Sequence, residues 1–509
     1  MLFYRGTTGP GGIGREGGCA LATIIEERRS YIAGTWVDGD DLLAVENPAD
    51  ETHVADLAVT PIAEVERAIL EARRSFDDGV WAGMPAAERA QMLHALLDHI
   101  ESRRGALIDT IVAEAGQPLG FADRLQVGSG IALARSSIDL YLSMTHEDSN
   151  PVPVDELVMG RVALSIRRYE PVGVVTAITP YNAAMIMAFQ KIIPALIAGN
   201  SVILRPSPLT PISSLLFGAG ADAAGLPPGV LSVVVEAGAA GAELLTTHPA
   251  VDMISFTGST AVGRQIMAQA APTVKRVALE LGGKSAQIYL PDAIDKAPLG
   301  AMAVVAATAG QACVAATRML VPKERKDDVL QAVSGAYGMV TVGAPMDPST
   351  LMGPVISAAQ RDRCERFVGL AEEHGGKIAR GGGRPAGLDR GYFFEPTVLD
   401  LPDNDNPAAR EEIFGPVIGV IGYDDLDDAV RIANDTIYGL SNQVYGADVA
   451  AATAVARRLR SGAVNVNTSV FSAYAPGGGY KQSGLGRERG AEGVRAFQEV
   501  KHMSIGELR

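Results

Sequence analysis

VGVVTAI at 172–178, SVILR at 201–205, LSVVV at 231–235, DMISF at 252–256 and KRVALEL at 275–281 are five short, nearly continuous apolar runs. Each is rich in β-branched residues and too short for a buried helix. Segments with helical spacing lie between them, at 184–198, 212–224 and 261–270. Strand, helix, strand alternation with strands apolar on both faces predicts an α/β fold around a parallel sheet covered on both sides.

Upstream, ERAQMLHALLDHIESRRGALIDTIVAEAG repeats apolar residues at helical spacing and ends at Gly116, before Pro118. Downstream, AQIYL, RMLVP, PVIGVIGY and GAVNVN read as strands of a second α/β region. Two β-like pieces belong to neither region. PVDELVMGRVALSIRRYEP (153–171) alternates like an extended hairpin, and FQEVKHMSI (497–505) is strand-like. They are able to pair with each other or with a partner chain. Residues 1–28 read as a flexible extension without the long apolar core of a secretory signal. Its GPGGIGREGG follows no strand, which argues against a phosphate loop.

A chain of 509 residues is too long for one core, so two or more domains are expected. Net charge is −15, from 44 basic and 59 acidic residues, which argues against nucleic-acid partners and an anionic membrane surface. No apolar run reaches the ~18 residues of a membrane span. Cys19, Cys313 and Cys364 are too few and scattered for a disulfide framework or a metal cluster, so no metal is expected and a reducing, cytoplasmic setting fits.

The chemistry concentrates at strand ends. Cys313, in TAGQACVAATR, follows an Ala-rich helix. A lone cysteine is more often a small buried hydrophobe than a nucleophile, which needs a lowered pKa or a nearby base. Glu280 ends an apolar strand in LELGGKS, where a carboxylate needs a partner such as Lys284 or a task near neutral charge. Asn182, in AITPYNAAM, suits a helix cap or a hydrogen-bond donor to an oxyanion. FTGSTAVG (256–263) gives strand, glycine turn and helix, a place for a pyrophosphate. EEIFGP sets Glu412 and Phe414 before a Gly-Pro turn, as a carboxylate for ribose hydroxyls and an aromatic for a nicotinamide, or as an exposed acid and a core ring.

TPYN, RPSPLTP, FTGSTAVG, LELGGKS, GQAC, EEIFGP and GGGYKQSGLGRE stand in this order, and over about residues 30–505 the chain resembles the aldehyde dehydrogenase superfamily. The resemblance implies a Rossmann-like NAD(P)-binding domain (29–150 and 172–281) and a catalytic domain (282–478). It also implies a β oligomerisation arm (151–171 and 490–509) that assembles a homodimer or homotetramer. Cys313 would attack an aldehyde, with Asn182 and the Cys313 backbone N–H holding the oxyanion. Glu280 would activate water on the thioester, and Lys191 and Lys284 would stand near this relay. Arg205, Ser207, Gly258, Ser259, Gly263, Gly282, Glu412 and Phe414 would line the cofactor, and Tyr181, Ala183, Met187, Phe471 and Gly477 the substrate tunnel.

Four positions depart from the family pattern. Arg205 stands in place of a lysine, and Pro208 in place of a carboxylate that excludes a 2′-phosphate, so NAD with tolerance of NADP is expected. Ala183 and Gly477 replace aromatic rings, which implies a wide apolar tunnel and a bulky hydrophobic or aromatic aldehyde. Two other functions fit the same fold: a CoA-acylating semialdehyde dehydrogenase, for which the base Glu280 is superfluous, and a catalytically idle binding protein.

Overall fold

The structure, a computed structural model, describes residues 24–156, 162–306, 308–468 and 472–506. Strands Val174–Ile178, Ser201–Arg205, Leu231–Val233, Met253–Thr257 and Arg276–Glu280 form the parallel centre of an eight-stranded sheet. Successive residues serve opposite faces. Val175, Ala177, Val202 and Leu204 join one apolar cluster with the helices Ala86–Ser102 and Ala184–Ile197. Val174 and Ile203 join another with the helix Ile62–Asp77. Burial on both faces is why these runs are continuous instead of alternating.

From Val174–Ile178 the chain steps through Ser201–Arg205 to Leu231–Val233, then returns to set Met253–Thr257 on the other flank of Val174–Ile178. This reversal opens a crevice at the carboxyl ends of the two central strands, the position where open α/β sheets take ligands. Antiparallel strands close the edges: Ser30–Ile32 and Thr35–Val37 at one, Gly484–Leu485 at the other.

A second sheet has seven strands. Ala286–Tyr289, Arg318–Pro322, Val417–Tyr423 and Ala463–Val466 coincide with the expected runs. Ser441–Tyr445 (SNQVY) is too polar to announce itself as a central strand. It is buried because its polar groups are matched: Asn442 Oδ1 accepts from Ala286 N at 2.7 Å, and its Nδ2 donates to Ser461 Oγ at 3.1 Å. Glu147–Glu156, Val162–Pro171 and Gln498–Ile505 form a separate antiparallel sheet. The two outlying segments thus pair with each other, in continuous register from Gln498↔Pro171 to Ile505↔Leu164.

Two boundaries differ from expectation. The long helical pattern breaks at Arg103 into Ala86–Ser102 and Arg104–Ala115, and the latter stops at Gly116 with a left-handed φ of 64°. Of the extension expected at 1–28, residues 24–28 are docked: Ile25 is buried in the larger core and its N–H donates to Thr110 Oγ1 at 3.0 Å. Residues 1–23, with Cys19, lie outside the described residues, as does Phe471.

Glu114 ties the N-terminal helices to the parallel sheet. Its buried carboxyl, pushed up to about 7 by desolvation, accepts from Ile212 N at 2.8 Å and Ser213 N at 3.2 Å where a helical segment begins. Glu114→Ala removes both acceptors and is expected to destabilise the fold by ~1–3 kcal/mol, read as a lower unfolding midpoint in denaturant.

Candidate active site

Three loops meet at the crevice: residues 179–182 after Val174–Ile178, 281–284 after Arg276–Glu280, and 308–313 downstream of the helix Ala297–Val305. The two glycines after Glu280 allow the meeting. A Cβ on Gly282 would collide with the Glu412 carboxylate, and one on Gly283 with the Cys313 carbonyl oxygen. The N–H of Gly283 donates to Glu412 Oε1 at 2.9 Å, which turns that carboxylate inward. Gly478 plays the same part for Glu280, whose Oε1 lies 2.7 Å from where its Cβ would be.

Cys313 is half-buried and follows a strained loop. Thr308, Ala309 and Gly310 take left-handed φ of 54°, 51° and 72° in succession; the two non-glycine residues cost ~1–3 kcal/mol each. Gln311 holds the loop, its Nε2 donating to Thr308 O at 2.9 Å and its Oε1 accepting from Ile356 N at 3.0 Å. Asn182 reads that loop directly, donating from Nδ2 to Gln311 O at 2.7 Å. Its own carbonyl accepts from Gln117 Nε2 at 2.7 Å and Gln126 Nε2 at 3.1 Å. Asn182 is not a helix cap: that position belongs to Ala183, and the helix starts at Ala184.

Burial dominates the electrostatics. Desolvation, then the neighbouring Glu488, pushes Glu280 up to about 8 against the pull of Lys191, Arg487 and Arg489. Desolvation, then Glu412, Glu280 and Glu488, pushes the Cys313 thiol up to about 12. Lys191 is fully buried in the helix Ala184–Ile197. It forms an ion pair with Glu488 and donates to Ser255 Oγ at 3.2 Å, and acts on Glu280 by its charge without a hydrogen bond to it. Lys284 does not pair with Glu280. It faces Arg318 and Glu412, and burial brings it down to about 7.

Several expected cofactor residues have other partners. The N–H of Gly258 donates to the Glu280 carbonyl at 3.0 Å and so does not face a pyrophosphate. Gly263 is buried against Leu281, 2.5 Å from where its Cβ would be, and serves helix-to-strand packing. Gly282 is buried beneath Glu412. Ser259 is exposed and caps the helix Thr260–Ala270, accepting from Val262 N at 3.3 Å. Ser207 is buried and braces the turn after Ser201–Arg205, accepting from Leu209 N at 3.3 Å. Arg205 is bound to Glu236 at 3.0 Å. Phe414, in a left-handed conformation, stands edge-on to Tyr181 with ring centroids 6.1 Å apart.

Ala183 and Met187 are half-buried, one turn apart on the same helix face, beside Tyr181. Gly477 does not leave open space: the Arg489 guanidinium lies where its side chain would be. Gly477 and Glu488 exchange backbone hydrogen bonds of 2.7 and 2.9 Å, and Arg489 takes φ 63°, which folds its side chain back over Gly477. Glu488, Arg489 and Glu236 are site residues that the sequence alone does not single out. Glu488 sits inside the quoted motif GGGYKQSGLGRE, and Glu236 directly follows an apolar run, much as Glu280 ends one. Among the described residues no group of three or more His, Cys, Asp or Glu side chains is placed to hold a metal ion, and no helix is long and apolar enough to cross a membrane.

Comparison with known proteins agrees with this geometry. The model of the aldehyde dehydrogenase family matches residues 36–503. Geranial dehydrogenase from Castellaniella defragrans is 37% identical over 484 residues, 94% of this chain and 99% of that protein. A cysteine-to-alanine mutant of aldehyde dehydrogenase C from Pseudomonas syringae, in complex with NAD+ and octanal, superposes with a TM-score of 0.88 at 38% identity, covering 94% of this chain and 96% of its own. Betaine aldehyde dehydrogenase from Staphylococcus aureus, in complex with NAD+, gives a TM-score of 0.90 at 35% identity, covering 94% of each chain. The chain belongs to the aldehyde dehydrogenase family.

Proposed function

We propose that this protein oxidises an apolar aldehyde to its carboxylic acid with NAD+, through a thioester on Cys313. The convergence of Cys313 with Glu280, Asn182 and Glu412 at the carboxyl ends of the central strands carries this reading. The exposed helix start at Ser259, the turn at Ser207, and the pair Glu412 and Phe414 suit a dinucleotide laid along that edge. When bound, NAD+ supplies the acceptor for the aldehyde hydride.

A thiol pushed up to about 12 is protonated at neutral pH, so Cys313 needs a base. Glu280 takes the Sγ proton as the sulfur bonds to the carbonyl carbon and the C=O electron pair moves to oxygen. That oxyanion is met by the backbone N–H of Cys313 and by Asn182 Nδ2, whose other hydrogen is committed to Gln311 O and so fixes the amide's orientation. Glu280 passes that proton to solvent, and after oxidation to the thioester the regenerated carboxylate removes a proton from water. The hydroxyl bonds to the acyl carbon, the C–S bond breaks, and the thiolate leaves with its electron pair. Lys191 and Glu488 act as positioning residues that set the charge around Glu280.

Ala183, Met187 and Tyr181 offer an apolar wall, and the geranial and octanal of the relatives are apolar aldehydes. Arg489, close enough to act on both Cys313 and Glu280, opposes a cationic aldehyde. The outer sheet of Glu147–Glu156, Val162–Pro171 and Gln498–Ile505 supports assembly as a homo-oligomer through its two outer strands, each paired on one side only among the described residues.

Cys313→Ala abolishes NADH formation from octanal while NAD+ binding persists, and Glu280→Gln lowers kcat by ~10²–10⁴-fold. Added CoA leaves the free acid as product; an acyl-CoA would overturn hydrolysis. Octanal and geranial give higher kcat/KM than betaine aldehyde, and the reverse order would overturn the apolar substrate class. Because Glu280 works as a base only when ionised, kcat/KM rises with pH through about 8. Glu488→Gln removes the like charge that helps raise Glu280, so the acid limb of the pH profile moves to lower pH.

A further inference from the structure

We propose that Glu236 sets the choice between NAD+ and NADP+, by holding the Arg205 guanidinium in an internal ion pair that opposes a 2′-phosphate. The inference rests on the dinucleotide-dependent oxidation argued above. Arg205 is the last residue of the strand Ser201–Arg205, and Glu236 lies just past its parallel neighbour Leu231–Val233. Both side chains stand at the carboxyl edge of the sheet, where such folds take ligands.

The pair is held from both sides. Arg205 Nε meets Glu236 Oε2 at 3.0 Å and its Nη2 donates to Gly238 O at 2.8 Å. The second carboxylate oxygen, Oε1, accepts from Gly241 N at 2.5 Å, at the start of the helix Ala240–Thr247. Gly241 is buried, and a Cβ there would lie 2.5 Å from Oε1, so the glycine makes room for the carboxylate. The Arg205 and Glu236 side chains are only 12% and 6% exposed. An arginine at this edge would by itself favour a phosphate, with its planar fork of donors. Here its charge is neutralised by a carboxylate that the Gly241 N–H holds in place. A phosphate drawn to Arg205 must approach that carboxylate, and like charges in a poorly hydrated site repel strongly. A neutral ribose hydroxyl meets no such opposition. Pro208, in the turn after the strand, brings a ring without a polar side chain, so the discrimination falls to the pair.

The test is the dissociation constant of each dinucleotide, measured by calorimetry without aldehyde, for the full-length wild type, E236Q and the double variant R205M/E236Q. Glutamine keeps an acceptor for Gly241 N and removes the charge. The expected result is that the ratio Kd(NADP+)/Kd(NAD+) falls by roughly tenfold or more in E236Q. In R205M/E236Q it returns toward or above the wild-type ratio. A ratio unchanged in E236Q, or a gain that survives loss of Arg205, overturns the proposal. A purely structural pair would weaken both dinucleotides together and leave the ratio fixed, which also overturns it. A wild type that binds neither dinucleotide overturns the oxidation reading itself, a result distinct from NAD+ binding with an unmoved ratio.

Discussion

Glu280 is half-buried at the end of a parallel strand, where desolvation favours its neutral form, yet general-base chemistry requires that it ionise. The surroundings answer both demands. Glu488 adds to the upward push, and Lys191, Arg487 and Arg489 restrain it, so the carboxyl comes to about 8 and not far beyond the working range of an enzyme. Lys191 is tolerated in an apolar helix because it is paired with Glu488, and that pair couples the helix Ala184–Ile197 to the C-terminal segment. The glycines at 282, 283 and 478 belong to the same arrangement. Each is a place where a side chain would displace Glu412, the Cys313 loop or the Glu280 carboxylate.

The central sheet was legible because burial on both faces leaves a local signature, a short run of β-branched residues with no polar face. Ser441–Tyr445 carried no such mark, since its burial depends on Asn442 finding Ala286 and Ser461 in distant parts of the chain. The site behaves alike. Cys313, Glu280 and Asn182 stood in recognisable motifs, but the reason Asn182 is oriented, its bond to Gln311 O, is a tertiary fact. Glycine is the residue whose role depends most on distant neighbours. At Gly258, Gly263 and Gly282, which the resemblance sets along the cofactor, the missing side chains make room for Phe256, Leu281 and Glu412. A sequence shows that a Cβ is absent, not what fills its place.

Gly477 illustrates the point with a consequence for selectivity. Loss of a ring at this position reads as a wider apolar space, but the volume is taken by Arg489, bent back by its left-handed backbone. The exchange replaces an apolar surface with a guanidinium close to Cys313 and Glu280. That cation helps hold Glu280 in its ionised form, so a feature of the substrate side is also part of the electrostatics of the base.

Glu236 and Glu280 share one sequence pattern, a carboxylate placed directly after or at the end of an apolar strand, and reach opposite ends. Glu236 is met by Arg205 on one oxygen and by the Gly241 N–H on the other, contacts that fix its direction. Among the described residues, no hydrogen-bond donor contributes to the balance on Glu280, which is set by burial and by charges alone. A carboxylate with donors on both oxygens is held in one orientation, suited to pairing with a neighbouring cation. One without them is free to exchange a proton, because no hydrogen bond must break when it does. The strand end supplies the position for both, and the donors around it decide which of the two becomes a base.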